Sequence, residues 1–429
     1  MNIPDRKTEP LLKAPRELHL PELKKIRLNN GISAFFLKEG EQELVRMEFI
    51  FRAGKWFESR SLIATTTNAL LNEGTKNYSS KNLAEAFDFY GAYLQFYAEP
   101  DRAGLILFCL SKFLDRTLPL VEDILSNSIF PEDEIGIYMD HSRQQFLINN
   151  QRVGFLAKQA FMNVIFGPDH PYGRPVQIGD FEHIKRSGLV DHFKAYYGIQ
   201  DLSILVSGNW TESIEHLLDQ HFGHSGWSLG QPGQVTAPVY NYLKSDKRTV
   251  VEKKDALQSA IRFGKPTINR THPDFTGLRI VTTILGGYFG SRLMKNIRED
   301  KGYTYGIGAQ LGSFENGGFF VVASEVGSQV CRNALKEVVN EVHKLREETV
   351  PEAELQLVKN YLAGNWLRLF DGPMVSAESY RVLIDYNLDE SYFKDAFNLL
   401  LGMTAERVQQ LAQTYLDPKE MVEVVGGVY

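Results

Sequence analysis

The strongest constraint on this chain is that its second half repeats the first. From about residue 24 the apolar pattern runs strands, helix, helix, strands, two long helices, short helices and a last strand, and from about residue 248 the same order begins again. A chain of 429 residues exceeds the roughly 100–200 residues of one ordinary domain. Strands and helices come in runs rather than in strict alternation. The predicted class is therefore α+β: two tandem homologous domains, each an antiparallel-rich sheet packed with helices.

The local signals are consistent with that plan. Residues 25–38 (KIRLNNGISAFFLK) read as a hairpin around Asn-Asn-Gly, and 45–53 as a further strand. Helices are expected over 61–72 and 79–90, the second behind a serine cap, followed by strands at 92–100 and 103–111. A helix over 113–128, one long helix over 131–164, short helices within 176–197, a buried strand at 202–208 and a helix at 212–222 complete the first half. Residues 225–247 are rich in Gly, Pro, Ser and Thr, which marks a boundary. In the second half, strands are expected at 256–263, 319–325 and 421–427, and helices at 274–285, 329–347, 351–369 and 405–415. The division is an arm at 1–23, a first domain at 24–230, a linker at 231–247 and a second domain at 248–429.

Hydrophobic content of 43% and charged content of 23% are those of a soluble globular protein. A formal net charge of −6 gives no support for nucleic-acid or anionic-membrane binding. Cys109 and Cys331 lie in apolar runs and read as buried free thiols. The first residues lack the apolar centre of a secretory signal, and no stretch approaches a membrane span of about 20 residues. The expected location is the cytoplasm.

The chemistry concentrates in residues 285–310, LGGYFGSRLMKNIREDKGYTYGIGAQ. Leu293 and Ile297 share one helical face, Gly302 sits at a left-handed helix stop, and the run from Tyr303 to Ala309 alternates as a strand. Arg298 on the last helical turn and Tyr305 on the following strand can aim a guanidinium and a phenol at one point. That pair suits a carbonyl oxygen gaining negative charge. An Arg favouring the helix dipole and a strand Tyr used in packing are the competing readings.

The two-halved layout, EGT at 73–75, HPYGRPV at 170–176 and SRLMKNIREDKGYTY at 291–305 together resemble the inverzincin metallopeptidases: pitrilysin, insulysin and the mitochondrial processing peptidases. The resemblance spans about 24–427 and is closest to the short members whose chains pair. Active members carry His-x-x-Glu-His on the first helix of the N-terminal half, two zinc ligands and the base that activates the metal-bound water. Here those positions fall on Thr65, Asn68 and Ala69, and the third ligand position, about 76 residues further on, falls on Gln145. None of these side chains replaces what is lost. The family's other element is a C-terminal-domain Arg and Tyr that bind the substrate carbonyl, and Arg298 and Tyr305 match its spacing and context, with Tyr303 the second choice for the phenol.

The resemblance therefore implies a chain without zinc chemistry of its own. It would supply Arg298 and Tyr305 in trans to a homologous HxxEH-bearing subunit that holds the zinc and acts on unfolded peptides. The alternatives are a purely structural homologue, like the core subunits of the cytochrome bc1 complex, or a peptide-binding homodimer. Other candidates are weaker. His216, His221 and His224 with Glu215 and Asp219 read as a solvated helix end, His141 is isolated, and His170 belongs to the HPYG turn. Gly286, Gly287 and Gly290 lack the Lys-Ser/Thr of a phosphate loop.

Overall fold

The computed structural model describes residues 17–211, 213–224 and 247–429. The expected linker at 231–247, apart from Lys247, and most of the arm at 1–23 lie outside them.

The first sheet contains β1 (Leu23–Arg27), β2 (Ser33–Lys38), β3 (Leu44–Phe51), β4 (Tyr93–Ala98), β5 (Ala103–Leu110) and β6 (Leu202–Gly208), in the order β1-β2-β6-β3-β5-β4. The β1–β2 hairpin turns through Asn29, Asn30 and Gly31, the last at φ +94°. The helices of this half are α1 (Ile63–Ala69), α2 (Ser80–Phe89), α3 (Leu114–Asn127), α4 (Glu132–Asn149), α5 (Val153–Phe166), α6 (Arg186–Tyr196) and α7 (Ser213–Phe222). The Ser79 hydroxyl caps α2 by accepting from the Asn82 N–H at 3.2 Å.

The second sheet contains β7 (Arg248–Glu252), β8 (Gln258–Thr267), β9 (Thr304–Phe314), β10 (Gly317–Gly327) and β11 (Val422–Gly427), in the order β7-β11-β8-β10-β9. Its helices are α8 (Phe275–Thr282), a widened segment Met294–Asp300, α9 (Cys331–Glu347), α10 (Glu352–Arg368), α11 (Pro373–Tyr386), α12 (Ser391–Gly402) and α13 (Ala405–Tyr415). In each sheet the first and last strands of the repeat pair in parallel, β2 with β6 and β7 with β11, and the other neighbours are antiparallel. Without β1, the two strand orders coincide, so both halves are one α+β plan.

The long helix expected over 131–164 is two helices. The chain leaves α4 through a turn at Asn150–Arg152, where the Arg152 N–H donates to Asn149 O at 2.9 Å. The reason is tertiary. α5 packs on β7, β8 and β11 of the other domain, where Phe161, Ile165 and Phe166 join Val321 and Val424 in one apolar cluster. A straight continuation of α4 would not reach that face. α11 makes the reciprocal crossing and packs on β2 and β6. Strand β7 and helices α11 and α12 are additions to the elements read from the sequence.

These crossings decide the character of the strands. Along β3, Val45, Met47, Phe49 and Phe51 bury among their own domain's helices. Arg46, Glu48 and Ile50 point to the opposite face, which α11 covers, so Arg46 and Glu48 are buried as well. Arg46 pairs with Glu48 at 2.7 Å, and Glu48 pairs across the domain boundary with Arg381 of α11 at 3.0 Å. Arg381 also reaches Glu99 at 2.6 Å and Asp385 at 3.4 Å, and its guanidinium lies 4.4 Å from the Tyr97 ring. Arg102 extends the network to Asp385 and Glu315. Cys109 and Cys331 are buried and unpaired, and burial pushes each thiol up to about 11.

Removing one partner of a buried pair leaves the other charge uncompensated, typically at a cost of about 3–5 kcal/mol. Arg381→Met should therefore lower the unfolding free energy by roughly that amount in denaturant titrations. Adding Glu48→Gln should recover part of the loss, whereas at an inert position the two substitutions would simply add.

Candidate functional site

Arg298 stands at the end of a helix of altered pitch. α8 continues as a wide turn over Thr283–Gly287 and breaks at Gly286, where a side chain would meet Ala309 N at 2.5 Å. After the loop at 288–291 the helix resumes with Leu293 and Ile297 fully buried on one face, as their spacing predicts. Its last turns bond across five residues, Lys301 N–H to Asn296 O at 3.1 Å, and Gly302 then adopts φ +63°.

The strand that follows departs from simple alternation. Tyr303 packs against the core and Ile307 and Ala309 are buried, but Tyr305, of the same parity, is 92% exposed. The cause is a bulge: Val326 pairs with Thr304 while Ser324 pairs with Ile307, so β9 carries an extra residue there. Two hydroxyls hold it. Thr304 Oγ1 donates to Glu325 O at 2.6 Å and accepts from the Gly306 N–H at 3.1 Å, and Ser324 Oγ donates to Gly306 O at 2.8 Å. The expectation that Tyr303 and Tyr305 share a face is thus corrected. Tyr303 is a packing residue and Tyr305 projects outward.

The structure brings Arg298 and Tyr305 together. The guanidinium carbon lies 5.4 Å from the Tyr305 ring centroid and 4.5 Å from that of Phe289, itself 64% exposed. Of the neighbouring cations, Arg292 is neutralised by a two-pronged bond to Glu354 at 2.9 Å and Lys301 by Glu337 at 3.6 Å, while Lys295 is exposed to solvent. Arg298 has no ion pair among the described residues and is held by the two rings alone. Its N–H groups have no hydrogen-bond acceptor among the described residues. Phe289 was not singled out from the sequence. The signal was an aromatic residue enclosed by Gly286, Gly287 and Gly290, where a side chain has nothing of its own to bury against.

The positions expected to be degenerate zinc ligands make other contacts. α1 begins after Leu62, which is left-handed at φ 75°, and the Thr65 hydroxyl donates to Leu62 O at 3.1 Å. Asn68 is buried, and its Nδ2 donates to Gly104 O at 3.0 Å and to the Tyr197 hydroxyl at 3.1 Å. Ala69 has no donor atom. Gln145 is exposed on α4 and reaches Asn149 at 3.4 Å, beside a cavity of about 580 Å³ that His141 and Arg174 also line. No hydrogen bond joins Gln145 to Thr65 or Asn68 among the described residues. These side chains do not fit a zinc ion, and among the described residues no three His, Cys, Asp or Glu side chains are grouped to hold a metal. His221 and His224 both turn to Glu122, at 2.7 and 3.2 Å. In the HPYG turn, His170 Nδ1 accepts from the Tyr172 N–H at 3.0 Å, and the Tyr172 hydroxyl bonds Asp101 and accepts from the Asn316 N–H of the second domain.

Glu58 links this turn to α1. It accepts from the Ala64 N–H at 3.2 Å and pairs with Arg174 at 3.2 Å, and burial raises its carboxyl from 4.5 to about 7 despite both partners. A folded-state pKa above the unfolded one means the native state binds more protons between pH 4.5 and 7, so this group's contribution falls as pH rises through that window. Across it, the shift corresponds to about 3 kcal/mol. Glu58→Gln should remove that dependence. Its stability relative to wild type should increase from pH 4.5 to pH 8 in parallel denaturant titrations, and a constant difference would contradict the assignment.

Residues 183–362, which include Arg298 and Tyr305, match the family described as "Peptidase M16 inactive domain". A protein of Rickettsia felis named an uncharacterized zinc protease is 24% identical over 351 residues, covering 80% of this chain and 82% of its own. The crystal structure of a peptidase M16 inactive domain from Pseudomonas fluorescens superposes with a TM-score of 0.84 at 24% identity, over 95% of this chain and 98% of that one. A protease from Helicobacter pylori gives 0.84 at 17% identity, over 96% and 100%. The resemblance read from the motifs therefore holds: residues 183–362 match the peptidase M16 inactive-domain family, and the chain has the two-domain α+β fold of these solved structures.

Proposed function

We propose that this chain is the zinc-less subunit of a two-chain M16-type metallopeptidase and lends Arg298 and Tyr305 to the active site of a homologous, HxxEH-bearing partner. The observation that carries this reading is the state of Arg298. It is a cation without an ion pair among the described residues, held open between two exposed rings at a bulge that turns Tyr305 outward. A pair serving only to pack would be covered, or neutralised as Arg292 and Lys301 are.

In this account the guanidinium and the Tyr305 hydroxyl bind the carbonyl oxygen of an extended peptide, and both bonds strengthen as that oxygen gains charge. Phe289 and Tyr305 keep the guanidinium aimed and partly shielded from water, so it undergoes little rearrangement when charge develops. The partner's zinc would supply the activated water. Thr65, Asn68, Ala69 and Gln145 have no catalytic part. Unfolded peptides as substrates and a cytoplasmic setting belong to the same proposal.

The test is to mix each variant with a homologous HxxEH-bearing chain from the same organism. Arg298→Ala and Tyr305→Phe should assemble with unchanged zinc content and lose about 10²–10³ in turnover, the usual effect of deleting one oxyanion donor. Tyr303→Phe should stay near wild type. Near-normal turnover in both variants would favour the scaffold reading, and failure to assemble would make Arg298 a structural cation.

A further inference from the structure

Two arginines of the second domain, Arg270 and Arg279, face a partly open cavity. The cavity, about 260 Å³, lies between α8, α10, α11 and α12. Arg279 of α8 and Arg270, just before that helix, line it, with Trp366, Phe393 and Val375 among its apolar walls. The Arg279 guanidinium lies 5.8 Å from the Trp366 ring, and that of Arg270 lies 5.6 Å from Phe275 and 6.0 Å from Tyr386.

The charge balance is unusual. Neither guanidinium has a carboxylate within ion-pair distance among the described residues. Asp274, the nearest acid in sequence, is committed to Arg407 at 2.6 Å and to the Tyr415 hydroxyl at 2.8 Å. Glu378 lines the cavity but is exposed and pairs with neither arginine. Burial and the like charge of Arg270 both hold Arg279 below its ordinary range. Arg46, Arg102 and Arg381 of the cross-domain network each have an acid beside them, and Arg262 of β8 donates to two backbone carbonyls instead. Two cations left together in a low-dielectric recess are unfavourable unless an anion joins them.

We propose that this cavity is a binding site for a small organic anion, with a carboxylate or phosphate head gripped by Arg270 and Arg279 and an apolar body against Trp366 and Phe393. The planar forks of two arginines suit either oxyanion, and the volume, at the low end for ligand pockets, restricts the body to a small group. The site is separate from Arg298 and Tyr305 and does not depend on the proposal made for them.

The experiment uses the full chain at fixed ionic strength, titrated with inorganic phosphate and separately with phenylacetate, with chloride as the control. Thermal unfolding and calorimetry are the readouts. The expected result is a saturable rise in Tm and 1:1 binding with at least one of the two anions, weakened about tenfold or more in Arg279→Gln and in Arg270→Gln. Response to phosphate alone identifies a phosphate head, and response to phenylacetate alone a carboxylate on an apolar body. Without added anion, Arg279→Gln should unfold at the same temperature as wild type or higher, because it removes an uncompensated charge, whereas a structural cation would show the reverse. The proposal is overturned if neither anion acts beyond chloride or if the variants respond as wild type does. Should Arg279→Gln not fold, Arg279 is structural, and an undiminished anion response in Arg270→Gln then overturns the site as well.

Discussion

The ion pair between Glu48 and Arg381 fixes how the two domains sit, and much else follows from it. Glu48 is a fully buried carboxylate in the middle of a sheet, a position that tolerates charge only when the charge is met. Arg46 meets it from the same strand and Arg381 from the other domain. α11 therefore has to lie on the first sheet, and by the same plan α5 lies on the second, where Arg262 of β8 donates to Gly154 O at 3.3 Å. Neither sheet has its second face covered by its own helices alone. The back face of each is completed by one helix of its neighbour, which makes the repeated domains a single unit.

The candidate site combines two local departures from regular structure on that rigid base. A helix of widened pitch and a strand with one extra residue meet at Gly302. Both devices rotate a side chain relative to the regular periodicity, the first Arg298 and the second Tyr305. The helix α1, which carries Thr65, Asn68 and Ala69, is tied into the surrounding structure. Asn68 ties it to β5 and Tyr197, and Glu58 ties its start to the HPYG turn. An uncharged amide at position 68 serves that purpose better than a carboxylate would, since it donates to a buried carbonyl and a buried hydroxyl at once.

Much of this was legible in the sequence, because local chemistry and tertiary structure agree there. The Asn-Asn-Gly hairpin, the Ser79 cap and the left-handed Gly302 each have one dominant local solution, and the repeated order of elements gives the two-domain plan. Four features were not legible. The turn at Asn150–Arg152 exists because α5 must reach the other domain, and its residues read as helix on their own. The bulge at Tyr305 depends on Thr304 bonding to a strand about twenty residues away, so parity alone put Tyr303 and Tyr305 on one face. The aromatic partner Phe289 and the paired arginines at 270 and 279 are separated in sequence from what they touch, and only the fold brings them together.

The central claim is that this chain completes another chain's active site. The most direct measurement is cleavage of a fluorogenic unstructured peptide by this chain alone, by an HxxEH-bearing homologue from the same organism alone, and by an equimolar mixture. The account predicts turnover in the mixture only, rising to a plateau at 1:1 stoichiometry. A homologue that cleaves as fast by itself as in the mixture would contradict it.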